Sequence, residues 1–107
     1  MSALAAAAPA DLAALEGRAV AAARMLKMLA NEQRLLLLCR LGDGEASVGE
    51  LAGHAGLAQS AASQHLAKLR AEGLVATRRA AQTIYYRLSD PDALRIIHVL
   101  CEIYGGD

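Results

Sequence analysis

The sequence predicts a mainly α-helical domain with one β-hairpin, in the order α-α-α-α-β-β-α. Three observations predict it. The chain has 107 residues, enough for one domain and too few for two. Hydrophobic residues make up 55% of it, yet Trp and Phe are absent and the apolar content is mostly Ala and Leu, which favours closely packed helices. Apolar spacing alternates between three and four along most of the chain and falls to near two only across residues 74–88.

Each element has its own signal. Residues 1–10 are Ala-rich, interrupted by Pro9 and without periodicity, and are expected to form a disordered tail ahead of a folded unit over 11–107. Asp11 can cap a first helix whose apolar stripe runs Leu12, Leu15, Ala19, Ala22, Leu26, Leu29, as at a helix–helix seam. Asn31 can cap a second helix through "EQRLLLLCRL", stopped by "GDG" at 42–44. Ser47 with Glu50 spells a capping box that opens a short third helix ending near Gly56. A fourth covers about 59–71, with Gly73 suited to its left-handed C-cap and Leu74 to the hydrophobic contact beyond. "LVATRR" and "TIYYRL", joined by Ala80-Ala81-Gln82, read as the hairpin, in which Tyr85 and Tyr86 face opposite sides. Asp90 as N-cap with Pro91 behind it starts the last helix, which ends before Gly105.

The bulk properties narrow the partners. A domain this small and this rich in small apolar residues is expected to leave apolar surface for a second copy to cover, hence a homodimer. "MSALAAAAPADLAALEG" has no Lys or Arg before Arg18 and does not read as a signal peptide. No stretch approaches the roughly 20 uncharged apolar residues of a membrane span, so a cytoplasmic location is expected. In that reducing setting, Cys39 and Cys101 are expected to be free thiols or a switch, not a permanent staple. Net charge is zero, but residues 59–88 hold Lys68, Arg70, Arg78, Arg79 and Arg87 against Glu72 alone. Phosphate contact needs a local positive field, and that segment has one.

The segment "SVGELAGHAGLAQSAASQHLAKLRAEGLV" carries the most chemistry. Two helices meet at a short turn containing Gly56. In the second, Ala62, Leu66 and Leu69 share one face, while Gln59, Ser60, Ser63, Gln64 and Lys68 project on another. Gln can bond adenine through N6 and N7, Ser suits several base edges or phosphate, and Lys meets phosphate or guanine. Short polar residues near the start of a helix permit major-groove entry. The basic hairpin that follows separates this pattern from an ordinary solvated helix face. His65 is expected to pack or meet a phosphate, and His54 to lie on the surface. A phosphate-cradling Gly-rich loop, a C-x-x-C and an acid–base constellation are all missing, which argues against an enzyme. A winged-helix module that binds protein is the alternative from another class; it would want an apolar or acidic outward face on the fourth helix.

These residues carry a resemblance. "LKMLANEQRLLLLCRL", the helix-turn-helix segment above and "RRAAQTIYYRLSD" resemble the ArsR/SmtB family of dimeric winged helix-turn-helix repressors, over roughly residues 20–104. The resemblance implies a homodimer joined by the first and last helices, with the fourth helix in the major groove of double-stranded operator DNA. It places Arg78, Arg79 and Gln82 of the wing at the backbone or minor groove. Recognition helices one turn of B-DNA apart, roughly 34 Å, imply an imperfect palindrome. Ala58 departs from the pattern, since many members cap the recognition helix with Ser or Thr there.

The family releases DNA when an inducer binds, and three readings of the inducer stand open. Arsenic-sensing relatives have Cys-x-Cys in the third helix, where this chain reads "SVGELAG". The zinc-type pairs would fall at Asp90 with Asp92 and at Ile103 with Gly106, and the latter cannot bind metal. His98 and Glu102 alone do not complete a site, so no metal or cofactor is expected. "LCRLGDGEASVGEL" and the segment 58–86 resemble the sulfide- and redox-sensing branch (the BigR, SqrR and HlyU type), which pairs a Cys of the second helix with one of the last. Cys39 matches the first position. Cys101 lies four residues before the second, the same helix face moved roughly 6 Å along the axis. The resemblance therefore implies derepression by persulfide or oxidant at Cys39 and Cys101. Inert thiols are the remaining reading, because Cys101 lies on the apolar stripe Leu94, Ile97, Cys101, Tyr104.

Overall fold

A computed structural model describes residues 9–105. Its elements are α1 (Pro9–Gly17), α2 (Ala19–Leu29), α3 (Glu32–Gly42), β1 (Ala46–Ser47), α4 (Val48–Ala55), α5 (Gln59–Ala71), β2 (Val75–Ala80), β3 (Thr83–Leu88) and α6 (Pro91–Tyr104). The mainly helical, winged arrangement agrees with the order read from the sequence, with two refinements. The first helix is two: the chain breaks at Arg18 (φ −120°, ψ 21°), directly after Gly17, a residue that disfavours helix interiors by about 1 kcal/mol relative to Ala. Asp11 consequently lies in the first turn of α1, which opens at Pro9, instead of capping it. The remainder of the expected tail, residues 1–8, lies outside the described residues.

The second refinement is β1. Two residues are too few to show a period, but Ala46 pairs with Tyr86 and Ser47 with Tyr85, giving an antiparallel sheet in the order β1-β3-β2. The hairpin β2–β3 runs in register from Val75↔Leu88 to Ala80↔Thr83, leaving a two-residue loop, Ala81-Gln82, with Ala81 at φ 55°. Ala80 belongs to the strand.

Local chemistry fixes the helix ends. Asn31 Oδ1 accepts from the Arg34 amide (3.0 Å), and the Arg34 guanidinium donates to the carbonyls of Met28 (2.8 Å) and Lys27 (3.2 Å), closing α2 as α3 begins. The capping box of α4 forms as its spacing predicts: the Glu50 amide donates to Ser47 Oγ (3.2 Å), and the Ser47 amide donates to Glu50 (2.9 Å). Asp90 accepts from the amides of Asp92 (2.8 Å) and Ala93 (3.1 Å) above Pro91. Gly73 takes φ 83°, and the Leu74 amide returns to the Leu69 carbonyl (2.9 Å).

Fourteen aliphatic side chains form the buried core, and no polar side chain is buried among the described residues. Leu37 and Leu38 of α3, Leu51 of α4, Leu66 and Leu69 of α5 and Ile97 of α6 are completely sealed. This packing seats α5 against α3 and α4 and leaves its opposite face in solvent.

Helix α5 has one uncapped end. Ala58 holds the extended N-cap conformation (φ −64°, ψ 148°) but offers no side-chain acceptor, and no other side chain supplies one. Ala58→Ser should therefore stabilise the fold by about 0.5–1 kcal/mol, seen as a raised urea midpoint at unchanged slope. No shift in that midpoint would mean that water already satisfies the first amides.

Candidate nucleic-acid interface

Helices α4 and α5 meet at Gly56 (φ 68°, ψ 34°), whose amide closes onto Ala52 and Gly53 while the Leu57 amide bonds the Ala52 carbonyl (2.9 Å). The left-handed conformation at this corner is open to Gly without a Cβ penalty. It turns α5 sharply away from α4. On α5, Ala62, Leu66 and Leu69 are each 0% exposed, whereas Gln59, Ser60, Ser63, Gln64 and Lys68 all face solvent. At 100° per residue the five polar positions span about 180° of the helix. The structure thus brings the sequence-predicted helix residues onto one free surface.

Three further residues shape that surface. Ala67 lies near its middle, and its methyl keeps the backbone approachable. Arg70 is exposed beside it. Gly49 on α4 leaves room for the Gln59 amide, whose nitrogen lies 3.3 Å from where a Cβ at residue 49 would stand. The period-3.6 pattern could have flagged Ala67 as the small residue among polar ones; the Gly49 contact is tertiary and has no sequence signal. His65 is not on the free face: its Nε2 lies 2.9 Å from Gln33 Oε1 on α3.

The wing residues divide. Arg79 and Gln82 are exposed, the latter in the loop at the hairpin's tip. Arg78 is engaged. Its Nε and Nη2 donate to both Glu45 oxygens (2.8 and 2.6 Å), and its guanidinium carbon lies 4.8 Å from the Tyr85 ring centroid. Hydrogen bonding from Arg78, with the charges of Arg78 and Arg87, holds the Glu45 carboxyl below the usual carboxylate range. Tyr86 packs against the core, and Tyr85 lies on the other side of the sheet, as the alternation predicts. The lone acid of the basic segment is matched too: Arg24 of α2 donates through Nε and Nη2 to both oxygens of Glu72 (2.9 and 3.0 Å), just past the end of α5. Lys68, Arg70, Arg79 and Arg87 are then the cations of residues 59–88 without a carboxylate partner among the described residues.

The two thiols lie on neighbouring helices. Cys39 is half-buried on α3, and Cys101 is exposed on α6. Burial, and then the nearby Cys101 thiol, push the Cys39 thiol above its ordinary value; Asp43 adds to this. The helices that carry the two thiols, α3 and α6, pack together. No group of three metal-ligating side chains clusters among the described residues.

A second free surface is apolar. Leu12, Leu15, Val20 and Leu26 on α1–α2, and Val99, Ile103 and Tyr104 on α6, are exposed. Ala14, Leu15, Ala22, Met25, Leu26 and Ile96 line a groove between the two groups. Among the described residues, no helix is long and apolar enough to cross a membrane.

Known proteins share this architecture. A family profile described as "Bacterial regulatory protein, arsR family" matches residues 31–77, from the cap of α3 into β2. The transcriptional activator HlyU of Vibrio cholerae is 48% identical over 97 residues, spanning 91% of this chain and 90% of that protein. The biofilm growth-associated repressor of Agrobacterium fabrum is 46% identical over 93 residues, spanning 87% and 80%. A solved structure of reduced HlyU from Vibrio cholerae superimposes with a TM-score of 0.82 at 48% identity, covering 86% of this chain and 97% of that one.

Proposed function

The chain belongs to the arsR family of bacterial regulatory proteins, and on that premise we propose that it is a cytoplasmic, dimeric repressor of transcription, derepressed by thiol chemistry at Cys39 and Cys101. It is a transcriptional regulator and not an enzyme. In this reading Gln59, Ser60, Ser63, Gln64 and Lys68 enter the major groove, and Arg79 and Gln82 of the wing lie along the backbone or minor groove. What supports it is the exposed half of α5, polar and free of acids over residues 59–71. A protein-binding module would present an apolar or acidic surface there. The exposed leucines of α1–α2 and the apolar end of α6 supply the dimer seam, and two-fold symmetry then calls for an imperfectly palindromic operator.

The observation that carries the inducer reading is the placement of Cys39 and Cys101 on α3 and α6, two helices that pack together. With peroxide as oxidant, two thiols would give one disulfide, both protons and both electrons passing to the peroxide to form two waters. A polysulfide would transfer one sulfane sulfur to each thiol, and attack of one persulfide's terminal sulfur on the inner sulfur of the other would form a trisulfide with hydrosulfide leaving. Cys101, open to solvent, is the sulfur that meets the reagent; the half-buried Cys39 follows as the resolving partner. Such a bridge ties α3 to α6, joining the body that carries α5 to the dimer seam.

Two measurements test this. A gel shift on the promoter of its own gene should give a specific complex that weakens with salt. Intact-mass and peptide mapping after peroxide or polysulfide treatment should show a Cys39–Cys101 cross-link, with release of the duplex. Absence of a Cys39–Cys101 cross-link, with the duplex still bound, would remove this mechanism.

A further inference from the structure

We infer that Arg78 is a positioning residue that straps the wing to the helix-turn-helix, and that Arg79 alone of the adjacent pair is available to DNA; the inference rests on the DNA-binding reading above. The register carries it. Arg78 on β2 stands opposite Tyr85 on β3, and Tyr85 stands opposite Ser47 on β1. Glu45, one residue before β1, is in phase with Ser47 and therefore on the same side of the sheet. To reach Glu45, the Arg78 side chain crosses above the Tyr85 ring and spans all three strands. It points across the sheet and away from the hairpin's tip.

One edge and one face of this guanidinium are engaged. Its edge makes two parallel bonds to the carboxylate, and its face lies over the ring. Its positive charge is matched by Glu45, so it offers a phosphate little net field. Arg79, exposed like Arg78, differs in its partners: it pairs across the hairpin with Ile84, projects from the other side of the sheet and has no carboxylate partner among the described residues.

A strap is needed here because β1 holds the hairpin through only two residue pairs. Glu45 precedes Ser47, the residue that caps α4. The ion pair therefore links β2 to the start of the helix-turn-helix and fixes the angle between wing and α5. Two separate groups of contacts must fall on one duplex, and this angle decides whether they do.

Exchanging the charges separates position from contact. Anisotropy would be read with a labelled duplex from the promoter of its own gene, over a range of salt. Arg78→Glu is expected to weaken binding at least about tenfold. Adding Glu45→Arg restores the pair with net charge unchanged, and should return affinity to within about threefold of wild type, with the wild-type salt slope. Arg79→Met should lower that slope by about one. Hydrogen exchange of the β2–β3 amides should rise in Arg78→Glu and recover in the exchanged pair. A folded double variant that binds as poorly as Arg78→Glu would overturn the inference, as would an Arg78→Met variant whose slope falls like that of Arg79→Met. A wild-type chain that forms no specific complex would bring down the DNA reading beneath it, and that control distinguishes the two failures.

Discussion

Gln64→Ala should cost specific DNA binding about 1–3 kcal/mol, roughly ten- to a hundredfold in affinity, while binding to unrelated duplex stays nearly unchanged. Gln64 is exposed on the free half of α5, one turn beyond Ser60 and beside Ser63, and its amide presents a donor and an acceptor that together match adenine. Alanine removes both without touching the buried Ala62–Leu66–Leu69 row behind it. Lys68→Ala should behave differently. A point charge at phosphate contributes to every sequence alike, so affinity for specific and unrelated duplexes should fall together and the salt slope should drop by about one. Titration of both variants against operator and scrambled duplex at two salt concentrations separates these signatures. Equal losses for Gln64→Ala on both duplexes would remove it from base readout.

Leu66→Ala should destabilise the domain by about 2–5 kcal/mol. The side chain is 0% exposed, among buried aliphatic groups, so its removal leaves a cavity in the close-packed core. Against a typical total of about 5–15 kcal/mol for a small domain, that is a large fraction. In a chain of this length each kcal/mol moves the thermal midpoint by about 4–8 °C, so circular dichroism should show a drop of at least roughly 10 °C. A midpoint within about 3 °C of wild type would mean that α5 can repack without it. The variant also connects stability to function, since Leu66 is what holds the polar half of the same helix outward.

Much of this was legible in the sequence because local chemistry wrote it. The capping box at Ser47, the Asp90-Pro91 start and the Gly73-Leu74 stop depend on neighbours within four residues, and all three form as their spacing predicts. The two faces of α5 follow from its period. Harder to read were features made between distant segments. β1 exists only because β3 lies beside it, and a two-residue strand has no pattern of its own. The break after Gly17 lost out to an apolar stripe that continues across it. Counted along the chain, Arg78 and Arg79 are equal cations; only the fold brings Glu45 to one of them. The four-residue displacement of Cys101 suggested a gap, but α6 packs on α3. Sequence spacing measured it along one helix axis, whereas the separation depends on how two axes cross.

The fork between Arg24 and Glu72 bears on aim. It joins residues 48 positions apart, with two roughly parallel bonds between planar groups. A single contact fixes only a length, but a two-point contact also fixes an azimuth. The fork thus ties the trailing end of α5 to α2 in a defined orientation. Largely open to water, the pair adds little to the lifetime of the fold. Its weight falls on bearing: a few degrees of roll would turn a different row of side chains toward the bases, and in a two-fold assembly that error would be made twice.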